Sequence, residues 1–287
     1  KTEHESVLQS LDYLARVHDF EISWLPVNLV GEILAEDLAA LLRPDTTLVT
    51  LMTANNEIGT THPITQFAQI AHQSGALFHT DAVQGAGWLD IRVDSSNVDA
   101  LTVSGHKLGA PKGSGFVFIR GRLAIEPQLV GGGQESGRRS GTENVAWAVA
   151  LATAIENLPE MASESARATG LRDAFIRGVL EEIESAIPTG HPTNRLPGLA
   201  SFCFEGVSGE AILLELERRE VIVSSGSACA AGSNEPSHVL LAVGIDADTA
   251  QSAVRFSFSH ATNEDELRQT LAALVEAVNT LTRTGKI

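Results

Sequence analysis

The sequence predicts an α/β protein built on a mostly parallel sheet, with a smaller α+β domain after it. In the first half, short apolar stretches typical of buried strands alternate with stretches of helical apolar spacing. This alternation is typical of parallel sheets with helices on both faces. Beyond Pro159, helices and short strands mix without regular repetition. We therefore expect a large domain over residues 1–159 and a small C-terminal domain over residues 160–287.

The first half contains one helix with clear end signals. Apolar residues recur at helical spacing between Pro63 and Gln73, proline is favoured at the first helical position, and Gly75 follows as a stop. Strands are predicted over residues 47–52, 76–80, 100–103 and 115–119. Because ligands of such sheets bind at the carboxyl ends of the strands, we expect the functional residues to be those that follow each strand.

The second half is expected to contain more helix than strand. Helices are predicted from about residue 142 to 158 and over residues 160–187, 210–220, 236–243 and 263–283, with Asn263 as a candidate N-cap. Strands are predicted over residues 199–204, 221–223 and 253–258. Cys203 lies in the first of these strands between two phenylalanines, so we expect its thiol to be part of the core.

The composition excludes several classes of protein. The 287 residues carry 20 Lys+Arg against 36 Asp+Glu, a formal net charge of −16. This charge argues against a binder of nucleic acid or of anionic membranes, since phosphate contacts need a basic surface. Two cysteines cannot build a disulfide-rich scaffold or a four-cysteine zinc site, and we expect no metal site. With no signal peptide and no apolar stretch of membrane-spanning length, a cytoplasmic protein is expected.

Lysine is scarce, and its placement is informative. The four lysines are Lys1, Lys107, Lys112 and Lys286. The two internal ones lie in the Gly-rich segment 104–113, directly after a predicted strand, where a lysine is suited to form a Schiff base; a solvated surface turn is the alternative. Asp81 also follows a predicted strand, where it either faces a ligand cation or caps the next helix. A strand-end lysine with a strand-end aspartate is the pair that enzymes dependent on pyridoxal 5'-phosphate (PLP) use.

Three further segments contain residues whose role the sequence pattern alone does not decide. Asn55 and Asn56 follow a predicted strand and either bind a ligand or form an Asx turn. Residues 131–142 combine glycines, two arginines and hydroxyls before a predicted helix, which is a weak anion-binding pattern. Residues 224–233 are small and surround Cys229, which indicates an exposed, mobile loop and not the usual buried cysteine.

Five motifs occur in a fixed order along the chain. They are Asn55-Asn56-Glu57-Ile58-Gly59, His79-Thr80-Asp81-Ala82-Val83-Gln84, Ser104-Gly105-His106-Lys107, Arg139-Ser140-Gly141-Thr142 and Ser224-Ser225-Gly226-Ser227-Ala228-Cys229. Together they closely resemble the cysteine desulfurases of the class V aminotransferase family, in the branch of the nitrogen-fixation and housekeeping iron–sulfur enzymes. The resemblance covers essentially the whole chain. It implies the PLP-dependent transferase fold type I and conversion of L-cysteine to L-alanine, with the sulfur carried as a persulfide for iron–sulfur cluster or thio-cofactor assembly.

The resemblance also implies roles for the residues around the cofactor ring. Lys107 would form the Schiff base and serve as the base at the α-carbon. Asp81 would pair with the pyridine nitrogen, and Gln84 would contact the phenolic oxygen. His4 would stack on the ring and move protons, and Cys229 would be the nucleophile.

A second set of residues is implied for the phosphate and the substrate. Ser104 and His106 would hold the phosphate, and Thr142 would reach the phosphate of the neighbouring subunit in a homodimer. Asn56, which would also contact the cofactor, and Arg255 would bind the substrate carboxylate, for which an arginine fork is well suited. The expected partner is a sulfur-acceptor protein such as an iron–sulfur scaffold.

Two departures from the family pattern are visible. Family members carry an N-terminal part of the large domain upstream of the Thr-Glu-His motif that contains His4, and we expect that part to be missing here. Where relatives continue with Gly-Arg, this chain has Ser259-His260. The alternatives are a selenocysteine lyase, a class V aminotransferase, or an incomplete fragment that keeps only dimer and partner surfaces. Cys229 favours the desulfurase, because an aminotransferase has no use for a thiol on a loop.

Overall fold

The computed structural model describes residues 1–121, 123–226 and 235–284. The helices in chain order are α1 (Glu5–His18), α2 (Ala35–Leu41), α3 (Ile64–Gln73), α4 (Val93–Ser96), α5 (Val145–Glu156), α6 (Met161–Glu182), α7 (Gly209–Glu217), α8 (His238–Ala242), α9 (Ala247–Ala250) and α10 (Glu264–Thr284). The strands are β1 (Leu48–Thr50), β2 (Leu77–Asp81), β3 (Ala100–Ser104), β4 (Gly115–Ile119), β5 (Ala186–Pro188), β6 (Leu199–Phe204), β7 (Ser224–Ser225) and β8 (Val254–Ser257). Within these described ranges, no helix has both the length and the apolar character needed to cross a membrane.

The chain divides into two compact units. The parallel-sheet unit comprises Leu42–Thr53 and Pro63–Pro159, and the antiparallel-sheet unit comprises Lys1–Leu41, Ala54–His62 and Glu160–Ile287. This division rests on backbone proximity. The functional division into a cofactor-binding domain and a cysteine-loop domain stays a prediction.

The parallel-sheet unit is built on the strand order β1-β2-β3-β4. β1 pairs with β2 and β2 with β3 in parallel, and β4 closes the edge antiparallel to β3. The predicted mostly parallel sheet is thus confirmed. α3 packs against β2, and its Phe67 and Ala71 are buried, as is Phe78 in the centre of β2. Gly75, with φ +80°, follows the helix and allows the turn into β2.

A buried carboxylate ties α3 to this sheet. Asp99 accepts a hydrogen bond from the Phe78 N–H at 2.9 Å and lies 2.7 Å from Nε2 of His72 in the last turn of α3. Burial acts to raise the pKa of Asp99, but these hydrogen bonds and the nearby charge of Arg120 outweigh it and hold the pKa below its usual value. The contact joins the last turn of α3 to the middle of β2.

The antiparallel-sheet unit is built on the strand order β5-β6-β8-β7, in which all neighbours are antiparallel. β6 is buried at every position. The rings of Phe202 and Phe256 lie 6.3 and 5.0 Å from that of Phe175 on α6, between centroids. α7 and α10 supply further apolar residues to the same core. Arg255, in the middle of β8, therefore projects from a strand fixed by the core.

Most of the predicted elements are confirmed, β4 and β6 to the residue, but two assignments are wrong. The helix predicted over residues 160–187 ends at Glu182, because Ile183 takes an extended conformation and Ala186–Pro188 pairs with β6. The strand predicted over residues 221–223 lies instead at Ser224–Ser225, where it pairs with β8. The sequence reading assigns no element before residue 47, where α1 and α2 form.

Candidate active site

The lysine loop follows β3 and is closed by its own hydrogen bonds. Gly105 donates its N–H to the Ser114 carbonyl at 2.9 Å and accepts from the Ala110 N–H at 3.0 Å. At Gly113, φ is +86° and an added Cβ would lie 2.6 Å from the Trp147 ring on α5, so the loop needs glycine there. A side chain at Gly105 would collide with the Ser114 hydroxyl. This segment is therefore a fixed support for Lys107, the last residue of a short 3₁₀ turn.

The charges in this loop make its surroundings cationic. His106 and Lys107 are exposed, and Ser104, at the end of β3, is half-buried. Partial desolvation, together with the positive charges of Lys107 and Lys112, lowers the pKa of His106. His106 is therefore favoured as a neutral donor beside two ammonium groups, which is an environment suited to an anionic group such as a phosphate.

Asp81 lies at the carboxyl end of β2, the strand beside β3, and accepts three hydrogen bonds. Its carbonyl accepts from the backbone N–H of Thr53 at 2.8 Å and from the Thr53 hydroxyl at 3.2 Å. Its Oδ1 accepts from the Val83 N–H at 2.9 Å. In the described part of the chain, the next helix, α4, begins only at Val93, so the N-cap alternative for Asp81 is wrong. β2 and β3 are adjacent and parallel. Asp81 and Ser104, which leads into the lysine loop, therefore lie at neighbouring carboxyl ends of the strands.

Two other predicted cofactor contacts lie in loops of the parallel-sheet unit. Gln84 is half-buried in the turns that follow β2. Thr142 is exposed and lies just before α5, whose N-cap is Asn144. The Gly-rich segment before it folds back on itself, since Ser140 donates its hydroxyl to the Gly132 carbonyl at 2.6 Å.

Asn56 and Arg255, the predicted ligands of the substrate carboxylate, meet in the antiparallel-sheet unit. The Arg255 Nη1 donates to the Asn56 carbonyl at 2.8 Å. The Asx-turn alternative applies to the preceding residue, because the Asn55 Oδ1 accepts from the N–H groups of Glu57 and Ile58 at 2.8 and 2.9 Å. Asn55 also donates to the Thr2 carbonyl at 2.8 Å. The buried Asn55 thus shapes the turn, and the half-buried Asn56 is presented beside the guanidinium.

His4 is the N-cap of α1. Its Nδ1 accepts a hydrogen bond from the Ser6 N–H at 3.1 Å and lies 2.9 Å from the Ser6 hydroxyl. Because Nδ1 acts as an acceptor, the neutral ring carries its proton on Nε2.

Sequence reasoning missed a buried carboxylate beside Asn56. Glu57 is 4% exposed and accepts a hydrogen bond from the hydroxyl of Ser237, the N-cap of α8. Burial raises the pKa of Glu57, against the opposing effects of Ser237, His238 and Arg255. The signal was present in the Asn-Asn-Glu motif, but only the fold brings Ser237, 180 positions further along the chain, to the carboxylate.

Of the two cysteines, only Cys203 lies among the described residues, and its buried position is the one that the sequence predicts. Cys203 is 0% exposed in a core cluster of the antiparallel-sheet unit, and burial raises the pKa of its thiol to about 12. It is therefore a thiol and not a thiolate at neutral pH. Cys229 lies outside the described residues. It is the only other cysteine of the sequence.

Comparison with known proteins gives one consistent answer. The family model described as aminotransferase class V matches residues 1–270. A cysteine desulfurase IscS from Dictyoglomus turgidum is 43% identical over 98% of this chain and 71% of its own length. The cysteine desulfurase NifS from Azotobacter vinelandii is 44% identical over 92% of this chain and 66% of its own length. The chain thus spans about two thirds to 70% of the length of these relatives.

The solved structures agree with the sequence relatives. A NifS-like protein superposes with a TM-score of 0.89 at 32% identity, over 98% of this chain and 74% of that one. A protein described as SspA in complex with cysteine superposes with a TM-score of 0.77 at 34% identity, over 90% of this chain and 71% of that one. The predicted α/β fold of the PLP-dependent transferases is therefore confirmed, and the chain belongs to the class V aminotransferase family.

Proposed function

We propose that the chain is a cysteine desulfurase that uses PLP to convert L-cysteine to L-alanine and carries the sulfur as a persulfide on Cys229. The observation that carries the proposal is the position of Asp81 and of the Lys107 loop at the carboxyl ends of two adjacent parallel strands. The identity of 38–44% to relatives named cysteine desulfurase supports the same reaction.

The residues at this edge of the sheet fit PLP in their chemistry. Lys107 offers a primary amine for the aldehyde, and the Asp81 carboxylate suits a protonated pyridine nitrogen. Ser104 and the neutral His106 are hydrogen-bond donors for a phosphate in a cationic setting. Once bound, the cofactor supplies an electron sink for bonds at the substrate α-carbon.

Substrate binding is assigned to Asn56 and Arg255. The guanidinium is fixed by its bond to the Asn56 carbonyl, and the planar fork of an arginine is suited to hold a carboxylate. Lys107 is proposed to move the proton at the α-carbon, and His4, whose Nδ1 is occupied by its capping bond, would exchange protons through Nε2.

Sulfur transfer is assigned to Cys229. Its thiolate forms a bond to the substrate sulfur as the bond between that sulfur and the β-carbon breaks, and protonation at carbon yields alanine. The products, alanine and one cysteine persulfide, account for all atoms of cysteine and the enzyme thiol. Cys203 does not compete, because its buried thiol has a pKa of about 12.

The persulfide would pass to an acceptor protein such as an iron–sulfur scaffold, for cluster or thio-cofactor assembly. We further propose that the enzyme acts in the cytoplasm as a homodimer, in which Thr142 of one subunit contacts the phosphate held by the other. The exposed position of Thr142, at the end of a Gly-rich loop, is consistent with such a contact.

The test is a cofactor and product assay on the chain together with any coding sequence that flanks it. PLP is added, the visible band of the lysine-bound cofactor is recorded, and alanine and sulfide are measured with cysteine and, separately, with selenocysteine. K107A should abolish the band, whereas the matched control K112A should retain it. C229S should abolish alanine formation from cysteine.

Three results would overturn the proposal. A band that survives in K107A removes the cofactor assignment. Alanine formation undiminished in C229S removes the persulfide step. Turnover of selenocysteine but not cysteine would favour the lyase alternative.

A further inference from the structure

A histidine that no proposed step uses lies inside the parallel sheet, bound to both neighbouring strands. The Nδ1 of His79, on β2, lies 2.8 Å from the Thr50 hydroxyl on β1, and its Nε2 lies 3.3 Å from the Thr102 hydroxyl on β3. We call these three residues the histidine tier. A side chain bonded across three adjacent strands has little freedom to rotate, so its ring position is set by the sheet itself.

The histidine tier lies on the same face of the sheet as Asp81. Side chains two residues apart on a strand point to the same face, so His79 is the nearest residue before Asp81 on that face. Thr50 is the register partner of His79, and Thr102 is the register partner of Asp81. Thr102 is thus beside the aspartate in the ladder and hydrogen-bonded to the histidine. The tier and Asp81 form one polar cluster across the strand ends.

The electrostatics of the tier suit a neutral ring. Burial lowers the pKa of His79, while the negative charge of Asp81 acts in the opposite direction. A neutral imidazole has one donor and one acceptor nitrogen, and threonine hydroxyls serve either role, so both ring nitrogens are satisfied without adding a second charge. A neutral ring places no competing positive charge beside Asp81, so the carboxylate can face a cation bound beyond the strand end.

We propose that His79 is a positioning residue, which acts through Asp81 to hold the carboxylate against the pyridine nitrogen of PLP. The inference rests on the proposed function. The alternative is that His79 only fills space in the sheet. The two differ in one respect: a positioning role needs Asp81, whereas a space-filling role is independent of it.

The experiment is a double-mutant cycle on PLP affinity, with the proteins H79Q, D81N and H79Q/D81N compared with the unaltered chain. The dissociation constant is measured by titrating the apoprotein with PLP, and thermal unfolding of each apoprotein is recorded. H79Q should weaken PLP binding roughly fivefold in the unaltered background, within the range of coupling energies between neighbouring groups, but less than about twofold in the D81N background.

Two further variants keep the cycle interpretable. H72Q changes a histidine of the same unit that is also bonded to a carboxylate, Asp99, and should lower thermal stability without changing PLP affinity. T102V removes one tier hydroxyl at nearly constant volume and carries the test if H79Q does not fold; it should weaken PLP binding in the same direction, again only where Asp81 is present.

Equal weakening by H79Q in both backgrounds, or an effect of H72Q as large as that of H79Q, would overturn the positioning role and leave the proposed function intact. Failure of the unaltered protein to bind PLP would overturn the proposed function and this inference with it.

Discussion

His62 is a buried titratable group whose replacement gives a measurable pH dependence of stability. It is 7% exposed, and neither ring nitrogen has a hydrogen-bond partner among the residues that the structure describes. Burial lowers its pKa from 6.5 to about 4. The proposed perturbation is His62→Leu, which fills the buried site with an apolar side chain and removes the ionisable ring.

The sign and size of the effect follow from linkage. The unfolded chain binds a proton at His62 below about pH 6.5, whereas the folded chain does so only near pH 4, so stability falls as the pH falls through this window. The pKa difference corresponds to about 3 kcal/mol of unfolding free energy, with the loss complete below pH 4. At pH 7, H62L should be at least as stable as the unaltered chain, since two unsatisfied buried nitrogens are removed.

Urea unfolding at a series of pH values from 7.5 to 4 measures this directly. The difference in unfolding free energy between H62L and the unaltered chain should grow by about 3 kcal/mol over that range. If H62L and the unaltered chain show the same pH dependence, the burial of His62 as a neutral, unbonded ring is refuted.

Three further predictions concern the core and two buried carboxylates. Phe202→Ala should lower the unfolding free energy by about 3–5 kcal/mol, measured by urea unfolding, because a fully buried ring leaves a cavity; a loss under about 1 kcal/mol would contradict the aromatic core. Asp99→Asn should cost about 2 kcal/mol at pH 7. The unfolding free energy of D99N should also depend less on pH below pH 4, since the lowered pKa of Asp99 makes the stability of the unaltered chain fall with pH there. The same pH dependence in both proteins below pH 4 would contradict the bond between Asp99 and His72. Glu57→Gln should become more stable relative to the unaltered chain as pH rises from 4 to 8, because a raised pKa means stability lost on ionisation; the opposite trend would show that Ser237 and the nearby cations outweigh burial.

The sequence predicts the sheet and its strand-end residues well because each has a local signal. β4 is a continuous apolar run, and β6 is apolar at every position except Ser201. Asn263 forms a capping box with Glu266, whose N–H it binds at 3.0 Å. Lys107 and Asp81 could be found because a parallel sheet brings the ends of adjacent strands together whatever their separation in sequence.

What the sequence could not predict depends on distant pairings. β5 is a strand only because β6 accepts it as a neighbour, and its own residues continue a helical pattern. Glu57 meets Ser237 across 180 positions. The positioning role proposed for His79 depends on the register of three strands. A histidine one residue earlier or later in β2 would face the other side of the sheet.

Lys107 is proposed as the residue that carries the cofactor. The most direct measurement is to incubate the protein with PLP, reduce it with borohydride, and map the modified peptide by mass spectrometry. We expect a phosphopyridoxyl group on Lys107, and we expect Lys112, five positions away in the same loop, to be unmodified. A label on Lys112 in place of Lys107, or no label under conditions that saturate a relative of known activity, would contradict it.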